Sequence, residues 1–461
     1  MEQATIPQPR VAGAAPLPPG PKAPAAVTAL RYARDPLGFL TSYRRRFGDI
    51  FTLSFPYFGK VVYVTDPALV KAVFTGRPDQ FHAGEANATV LEVALGPNSV
   101  LTLDDEPHMR QRKLLLPPFH GERVQRYGEL IREITLREME SWPVGEPFAL
   151  RRHTQRITLA VILKAVFGVD DAQRLDRAGR LIDTFARRVG PLTAFPFLRR
   201  NLGPFGPWAR FVRAREALDE FIYEEIAIRR AEVEAEDGER DDVLSLLLRA
   251  RYDDGTPMSN EELRDELVTV IGAGHETTAT ALAWAMERLL RTPRVLKRLS
   301  DSIAAGEDDY LDATVKETLR ARPVILDVVR KLTAPAQIGG YELPTGTFVL
   351  PAIAALHYRE DLFPEPDEFR PERFLDGKAD NYAWIPFGGG IRRCIGAAFA
   401  EYEMRIVLRE IIERADLRAP DPEPERVKIR HITLAPGKGT KVILDRPLHP
   451  VPTRDTAAIT A

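Results

Sequence analysis

Apolar and polar positions alternate in two textures along this chain. Ile50 to Phe55 and Val61 to Val64 are rich in β-branched and aromatic residues, and the Pro56 to Lys60 turn between them predicts a hairpin and an early small sheet. From Asp66 to about Arg320 apolar residues recur at three and four spacing, which predicts a helical array with breaks at Pro78, Pro107, Pro117/Pro118, Pro143 and Pro191. Its longest member starts at Ser259, where Ser259 and Glu262 form a capping box, and runs to about Leu290 before Pro293. At 1.5 Å per residue that is a rod of roughly 48 Å, long enough to cross most of a domain. Short extended segments then return at Tyr341–Leu343, Thr347–Leu350, Ile432–Leu434 and Val442–Leu444, the last two expected to pair across Pro436-Gly437-Lys438-Gly439. Between Pro191 and Pro207 proline, glycine and phenylalanine crowd together, which suits a mobile apolar loop or an ordinary surface linker.

Composition narrows the function classes. The 461 residues are 44% hydrophobic, enough for one large core or two smaller ones. With 64 basic and 66 acidic side chains, nothing at whole-chain level calls for nucleic acid or an anionic surface, so any charged docking face has to be local. The seven prolines between Met1 and Pro24 predict an extended, flexible lead-in (1–24) rather than a signal peptide, and a polar tail is expected at 447–461. The longest apolar stretches, such as Leu159 to Val169, are too short to span a bilayer. A soluble, cytoplasmic, monomeric protein with one domain over 25–446 is expected. Cys394, the sole cysteine, excludes an intramolecular disulfide and fits a reducing compartment, where a lone thiol is usually a packing residue.

The surroundings of that thiol argue against mere packing. Phe387-Gly388-Gly389-Gly390-Ile391-Arg392-Arg393-Cys394-Ile395-Gly396 places it after three glycines, which cost backbone entropy and suggest a turn where the backbone approaches something closely. Ala400, Met404, Val407, Leu408 and Ile411 then repeat at helical spacing, so Cys394 should sit at a helix N-terminus, where amides, dipole and arginines favour a thiolate and a metal ligand. A second unusual segment, Ala273-Gly274-His275-Glu276-Thr277-Thr278, lies midway along the long helix. Gly272 and Gly274 each cost ~1 kcal/mol relative to alanine there, and either a flat ligand resting on the helix or a close helix crossing would offset that. His275 has no second imidazole at ligand spacing and reads as a partly solvated helix residue.

Both segments resemble the cytochrome P450 family. Phe387, Gly390, Arg392, Cys394 and Gly396 fill its haem-binding loop, and Ala273, Gly274, Glu276 and Thr277 fill its oxygen-activation motif. The resemblance spans about Pro16 to Leu444 and implies a mainly α single-domain fold with a smaller β region. It implies haem b with Cys394 as the axial thiolate, and proton delivery by Thr277 and Glu276. It further implies a buried triad of Glu317, Arg320 and Arg373, and propionate binding by His108, Arg112, Arg330 and Arg392. The implied pocket is lined by the Ala83 to Val100 loop, the Pro191 to Pro207 loop, Ala273, Ile325, Leu326, Ile432 and Thr433, mostly apolar, which favours a terpene, steroid, fatty acid or similar molecule.

The expected reaction is hydroxylation with dioxygen and two electrons. The cysteines of an iron–sulfur cluster are absent, so the electrons should come from a separate ferredoxin or flavodoxin with its reductase. Arg110, Arg112, Lys113, Arg393, Arg405 and Arg409 are expected to form its basic docking face. Two other classes remain open: a peroxide-driven haem peroxygenase, and a non-catalytic haem gas-binding protein. Glu276-Thr277 speaks against both, because a proton relay is needed chiefly where dioxygen is split.

Overall fold

The computed structural model describes residues 16–169, 171–235, 240–375, 380–430 and 432–450. The first half runs α1 (Ala25–Arg34), α2 (Pro36–Phe47), β1 (Ile50–Phe55), β2 (Gly59–Val64), α3 (Pro67–Thr75), β3 (Phe81–His82), α4 (Gly84–Leu95), α5 (Asp105–Leu115), α6 (Glu122–Arg126), α7 (Gly128–Met139), β4 (Pro147–Ala149), α8 (Leu150–Phe167), α9 (Ala172–Ala194), α10 (Pro207–Glu234) and α11 (Val243–Arg249). The second half runs α12 (Asn260–Leu290), α13 (Pro293–Ala304), α14 (Asp309–Ala321), β5 (Arg330–Leu332), β6 (Ala336–Ile338), β7 (Tyr341–Leu343), β8 (Phe348–Pro351), α15 (Ile353–His357), α16 (Ala397–Arg414), β9 (Leu417–Arg418), β10 (Val427–Arg430), β11 (Thr433–Pro436) and β12 (Lys441–Leu444).

The early hairpin and part of the late extended texture belong to one sheet of order β1-β2-β8-β5-β3, in which β2 and β8 are parallel with Val61 opposite Phe348. Joining strands so distant in sequence costs loop-closure entropy that only a well-formed core offsets. Phe51, Leu53, Val61 and Tyr63 supply that core on one face, with Phe39 and Leu40 of α2, while Val62, Val64 and Val349 pack on the other with Phe74 of α3. The larger helical core gathers around α12, whose capping box between Ser259 and Glu262 forms as its sequence predicts. The helix is buried along most of its length and packs against α8, α10, α14 and α16.

Several local expectations are corrected. Pro107 lies in the first turn of α5, where a missing N–H costs nothing. Pro191 lies in the last turn of α9, which continues to Ala194. Most of the expected Ala83 to Val100 loop is helix α4, because the Asp104 carboxylate accepts from the amides of Ala83 (2.9 Å), Gly84 (2.8 Å) and Glu85 (2.7 Å). This cap comes from about twenty residues downstream, so local pattern does not reveal it. The expected pairing of Ile432–Leu434 with Val442–Leu444 does not form. Instead β10 and β11 make a hairpin with Arg430 opposite Thr433, while β12 pairs with β4 and β9. In the lead-in, residues 16–24 form no helix or strand and are anchored: Pro18 is buried, and its carbonyl and that of Pro19 accept from the Thr52 hydroxyl and amide. Residues 1–15 and 451–461 lie outside the described residues.

Candidate active site

The cysteine loop is closed by a bond from the Cys394 amide to the Phe387 carbonyl (3.0 Å), and Gly396 then caps α16. The glycines have steric reasons. Gly388 and Gly390 hold φ of +65°, where a side chain is strained. A Cβ on Gly389 would lie 2.3 Å from the Phe74 ring, and one on Gly390 would lie 2.2 Å from the Phe74 carbonyl oxygen. The close approach expected from sequence is therefore, at these two positions, an approach to α3. Beyond the cysteine the picture reverses: a Cβ on Gly396 would meet nothing within 4 Å. Cys394 itself lies deep in the fold while its side chain is exposed, so it borders interior open space. Burial pushes its thiol up, opposed by the Gly396 amide and by Arg112 and Arg393. The amide and the arginines expected from sequence to favour a thiolate are both present and act against that desolvation.

Open space also borders α12. Its residues are buried from Thr278 to Met286, yet Gly272 and Ala273 are exposed, and a Cβ on Gly272 would meet nothing within 4 Å. At Gly274 a Cβ would come within 3.0 Å of Ile162, so this glycine serves the α8–α12 crossing. The two readings of the glycine pair thus divide between its members. The same crossing is stitched by Thr154 and Thr158 of α8, which donate to the carbonyls of Ala279 (2.9 Å) and His275 (2.8 Å). Thr277 donates to the Ala273 carbonyl (2.6 Å). Glu276 is gripped from α8 by Arg151, as an ion pair, and by Gln155 (2.6 Å). Arg151 and Gln155 carry no motif, and their i,i+4 spacing on α8 is the only trace they leave in the sequence.

A second constellation gathers cations. His108 of α5 is buried, its Nδ1 has no hydrogen-bond partner among the described residues, and burial together with Arg392, Arg112 and Arg330 pushes its pKa down to about 3. Burial also lowers Arg330 and Arg392 to about 10 each, with Asp104 pulling back. Arg392 pairs with Asp104 and donates to the Val100 carbonyl (3.1 Å), Arg112 donates to the Arg393 carbonyl (2.7 Å), and Arg330 lies over the Phe74 ring. Asp104 thus serves Arg392 and Arg330, Arg112 has no carboxylate partner among the described residues, and the excess positive charge around His108 suits a dianionic guest. Glu266 of α12, which sequence reasoning missed, accepts from the Val100 amide (2.6 Å) and ties this cluster to the long helix; burial holds it well above the usual carboxylate range.

Glu317 and Arg320 meet as a fully buried bidentate pair (2.7 and 2.8 Å), with Arg373 at 3.6 Å. Arg320 also donates to the carbonyls of His357, Pro366 and Glu368. His357 in turn accepts the Ile385 amide at Nε2 (3.0 Å), just before the cysteine loop.

The expected pocket residues divide. Segment 324–326, β11 and α12 converge, because the Leu434 amide donates to Val324 (2.8 Å) and the Trp284 indole donates to Leu434 (2.7 Å). Ala273 is exposed and Ile325 half-buried. Leu326 packs in the core beside β1 and β2, Thr433 is buried and donates to Arg430, and Ile432 is exposed in the β10–β11 turn, so these three do not form open lining. The expected basic docking face is also corrected. Arg110 pairs with Asp254, Lys113 with Asp253, and Arg405 and Arg409 with Asp312 and Asp308, leaving Arg112 and Arg393 without a carboxylate partner among the described residues.

Comparison with known proteins agrees with this architecture. The family model for cytochrome P450 matches residues 17–444. Cytochrome P450 135B1 of Mycobacterium tuberculosis is 43% identical over 92% of this chain and 91% of its own length. Cytochrome P450 138 of the same organism is 40% identical over 95% and 99%. The solved structure of retinoic-acid-bound cyanobacterial CYP120A1 superposes with a TM-score of 0.81 at 26% identity, covering 95% of this chain and all of that one. The chain belongs to the cytochrome P450 family of haem-thiolate monooxygenases.

Proposed function

We propose that this monooxygenase hydroxylates an apolar small molecule of terpene, steroid or fatty-acid type, with electrons delivered by a separate ferredoxin or flavodoxin and its reductase. The observation that carries the reading is the exposed Gly272–Ala273 face in the middle of an otherwise buried helix, which leaves room for a flat group and an apolar guest. Haem, when bound, supplies dioxygen binding and activation. His108, Arg112, Arg330 and Arg392 would hold its propionates, a fit supported by their surplus of positive charge and by the unpartnered His108 Nδ1. Cys394 would supply the thiolate that holds the iron. Phe387 and Gly396 bracket the cysteine, the first through its carbonyl and the second by leaving space above α16.

The chain's remaining work is proton handling and water exclusion. Thr277 commits its hydroxyl proton to the Ala273 carbonyl, which leaves oxygen lone pairs free to accept from water or from a ligand. Both Glu276 oxygens are engaged by Arg151 and Gln155, so a proton taken up by that carboxylate has to displace one of these donors first. The apolar substrate class is further supported by the mostly apolar segments around Ala273, and by the structural relative whose bound molecule is retinoic acid.

The test is the reduced, carbon monoxide-bound absorption spectrum of the wild type beside Cys394→Ala and Cys394→His. A strongly red-shifted Soret band confined to the wild type is expected; an imidazole-type band in the wild type would sink the ligand assignment. For the donor, reduction by an acidic ferredoxin is expected to slow with rising salt and in Arg393→Glu. Rates indifferent to both would refute electrostatic docking at Arg112 and Arg393.

A further inference from the structure

The segment between α14 and β5 runs from the long helix to the cysteine loop. At its start the Val324 carbonyl accepts the Leu434 amide, and the Leu434 carbonyl is held by Trp284 of α12. Near its end Val328 lies 3.7 Å from where a Cβ on Gly388 would stand, and Arg330 joins the cation cluster around His108. Asp327 sits in the middle of this run. It lies as deep in the fold as Cys394, yet part of its surface is open, so it borders interior space as the cysteine does. Neither proton handling nor propionate binding makes use of it.

The partners of this carboxyl are two phenols. Tyr63 of β2 donates to its Oδ2 (3.2 Å), and the Tyr32 phenol of α1 lies against both groups. Burial and the Asp327 charge push both phenols well above their usual range, so they stay neutral donors. Aromatic neighbours fix the two rings: Tyr63 stacks on Phe51 at 5.6 Å, and Tyr32 meets Phe39 at 6.0 Å and Phe55 at 5.3 Å edge-on. Burial raises Asp327 to about 6 against the lowering bonds of the tyrosines, which leaves it mostly ionised at neutral pH. Other deep carboxyls of this fold solve the same problem differently. Glu317 and Glu276 have Arg320 and Arg151, whereas Glu266 and Glu403, buried without a cation, are pushed well above the usual carboxylate range and stay neutral. Asp327 has no lysine, arginine or histidine partner among the described residues, and is a fixed anion whose countercharge the fold does not supply.

We propose that Asp327, braced by Tyr32 and Tyr63, anchors a protonated amine of the substrate, so that the preferred guest is a terpenoid or steroidal skeleton carrying a basic nitrogen rather than a fatty acid. An ammonium on the open side of the carboxylate brings the missing charge and makes a charge-assisted hydrogen bond. The apolar remainder of the guest is left for the exposed Gly272–Ala273 face. A carboxylate guest meets like charge at the same place. The inference rests on the proposed apolar-substrate reading and narrows its substrate class.

The experiment titrates the full-length holoprotein at pH 8 with probes of one chain length: N,N-dimethyldodecylamine, 1-dodecanol and dodecanoic acid. Dissociation constants come from isothermal titration calorimetry, with the Soret shift recorded beside them. The wild type is expected to bind the amine most tightly and the acid least. Asp327→Asn should weaken the amine roughly 10- to 150-fold, the size of a hydrogen bond to a charged group, while leaving the alcohol about unchanged and tightening the acid. Asp301→Asn, an exposed carboxyl on α13, should change none of the three. A carboxyl that only supports the fold would weaken all probes together, and that uniform loss would overturn the proposal. So would equal amine affinity in wild type and Asp327→Asn, or a nitrogen-ligation Soret shift that puts the amine on the iron. Alcohol bound as tightly as amine by the wild type would sink the anchor and leave the apolar reading standing, whereas failure of both to bind would sink the two together.

Discussion

Replacing Arg320 with leucine removes a guanidinium that bonds Glu317 and three backbone carbonyls. Its partner Glu317 is fully buried, and after the substitution that carboxylate keeps only the Arg370 amide at 2.8 Å and Arg373 at 3.6 Å. Three carbonyls, of His357, Pro366 and Glu368, lose the same donor. Breaking a buried pair from one side costs about 3–5 kcal/mol, because the other charge is stranded. An unfolding entropy of about 2.1 cal/mol/K per residue over roughly 430 residues gives about 0.9 kcal/mol/K, so the melting temperature should fall by about 3–6 °C. The effect should also reach the cysteine loop through His357, whose Nε2 holds the Ile385 amide. Thermal melts followed by circular dichroism, with the Soret band read in parallel, test both parts. Arg320→Lys, which keeps the charge and loses the fork, should fall between wild type and Arg320→Leu. A leucine variant that melts within about 1 °C of wild type with full haem occupancy would refute the reasoning.

The glycines of α12 should respond differently to alanine. Gly272→Ala meets open space and gains up to about 1 kcal/mol of helix propensity, raising the melting temperature by about 1 °C while weakening the spectral shift induced by bound substrate analogues; Gly274→Ala pushes against Ile162, which should cancel the gain. Gly390→Ala should abolish haem incorporation, measured as the ratio of Soret to protein absorbance, because both its φ and the Phe74 carbonyl forbid a side chain. Asp327 is held at about 6 by burial, against the lowering bonds from Tyr63 and Tyr32. A carboxyl whose folded pKa lies above its unfolded one costs stability as pH rises between the two values, about 4 to 6, to a total of up to about 3 kcal/mol. Asp327→Asn should therefore melt higher than wild type at pH 8, with the gain vanishing toward pH 4; equal melting at pH 8 would contradict this.

What was legible in the sequence was what is local. The β1–β2 hairpin, the capping box at Ser259 and the helix after Cys394 each depend on residues within a few positions of one another, and each forms. The turn before Cys394 was equally legible, because three consecutive glycines mark a backbone that must pass something closely, and here it passes Phe74 of α3. Long-range partners left no such trace. The Asp104 cap on α4, the Arg151–Gln155 grip on Glu276 and the Glu266–Val100 bond join segments whose meeting depends on the packed core. The late strands were found as strands but mispaired, since Ile432–Leu434 and Val442–Leu444 carry too little pattern to specify register. The basic docking face failed for a related reason. A one-dimensional count of arginines cannot see Asp253, Asp254, Asp308 and Asp312 folding back onto them.

That neutralisation bears on how the surface charge is used. If every arginine cluster were balanced in place, the near-zero net charge would mean a surface without direction. Around α5 and α16 carboxylates from neighbouring segments cancel most of the basic side chains, and Arg112 and Arg393, beside Cys394, are left without a carboxylate partner among the described residues. Charge left unbalanced at that one place, rather than the whole-chain count, is what a salt-dependent rate of reduction would report.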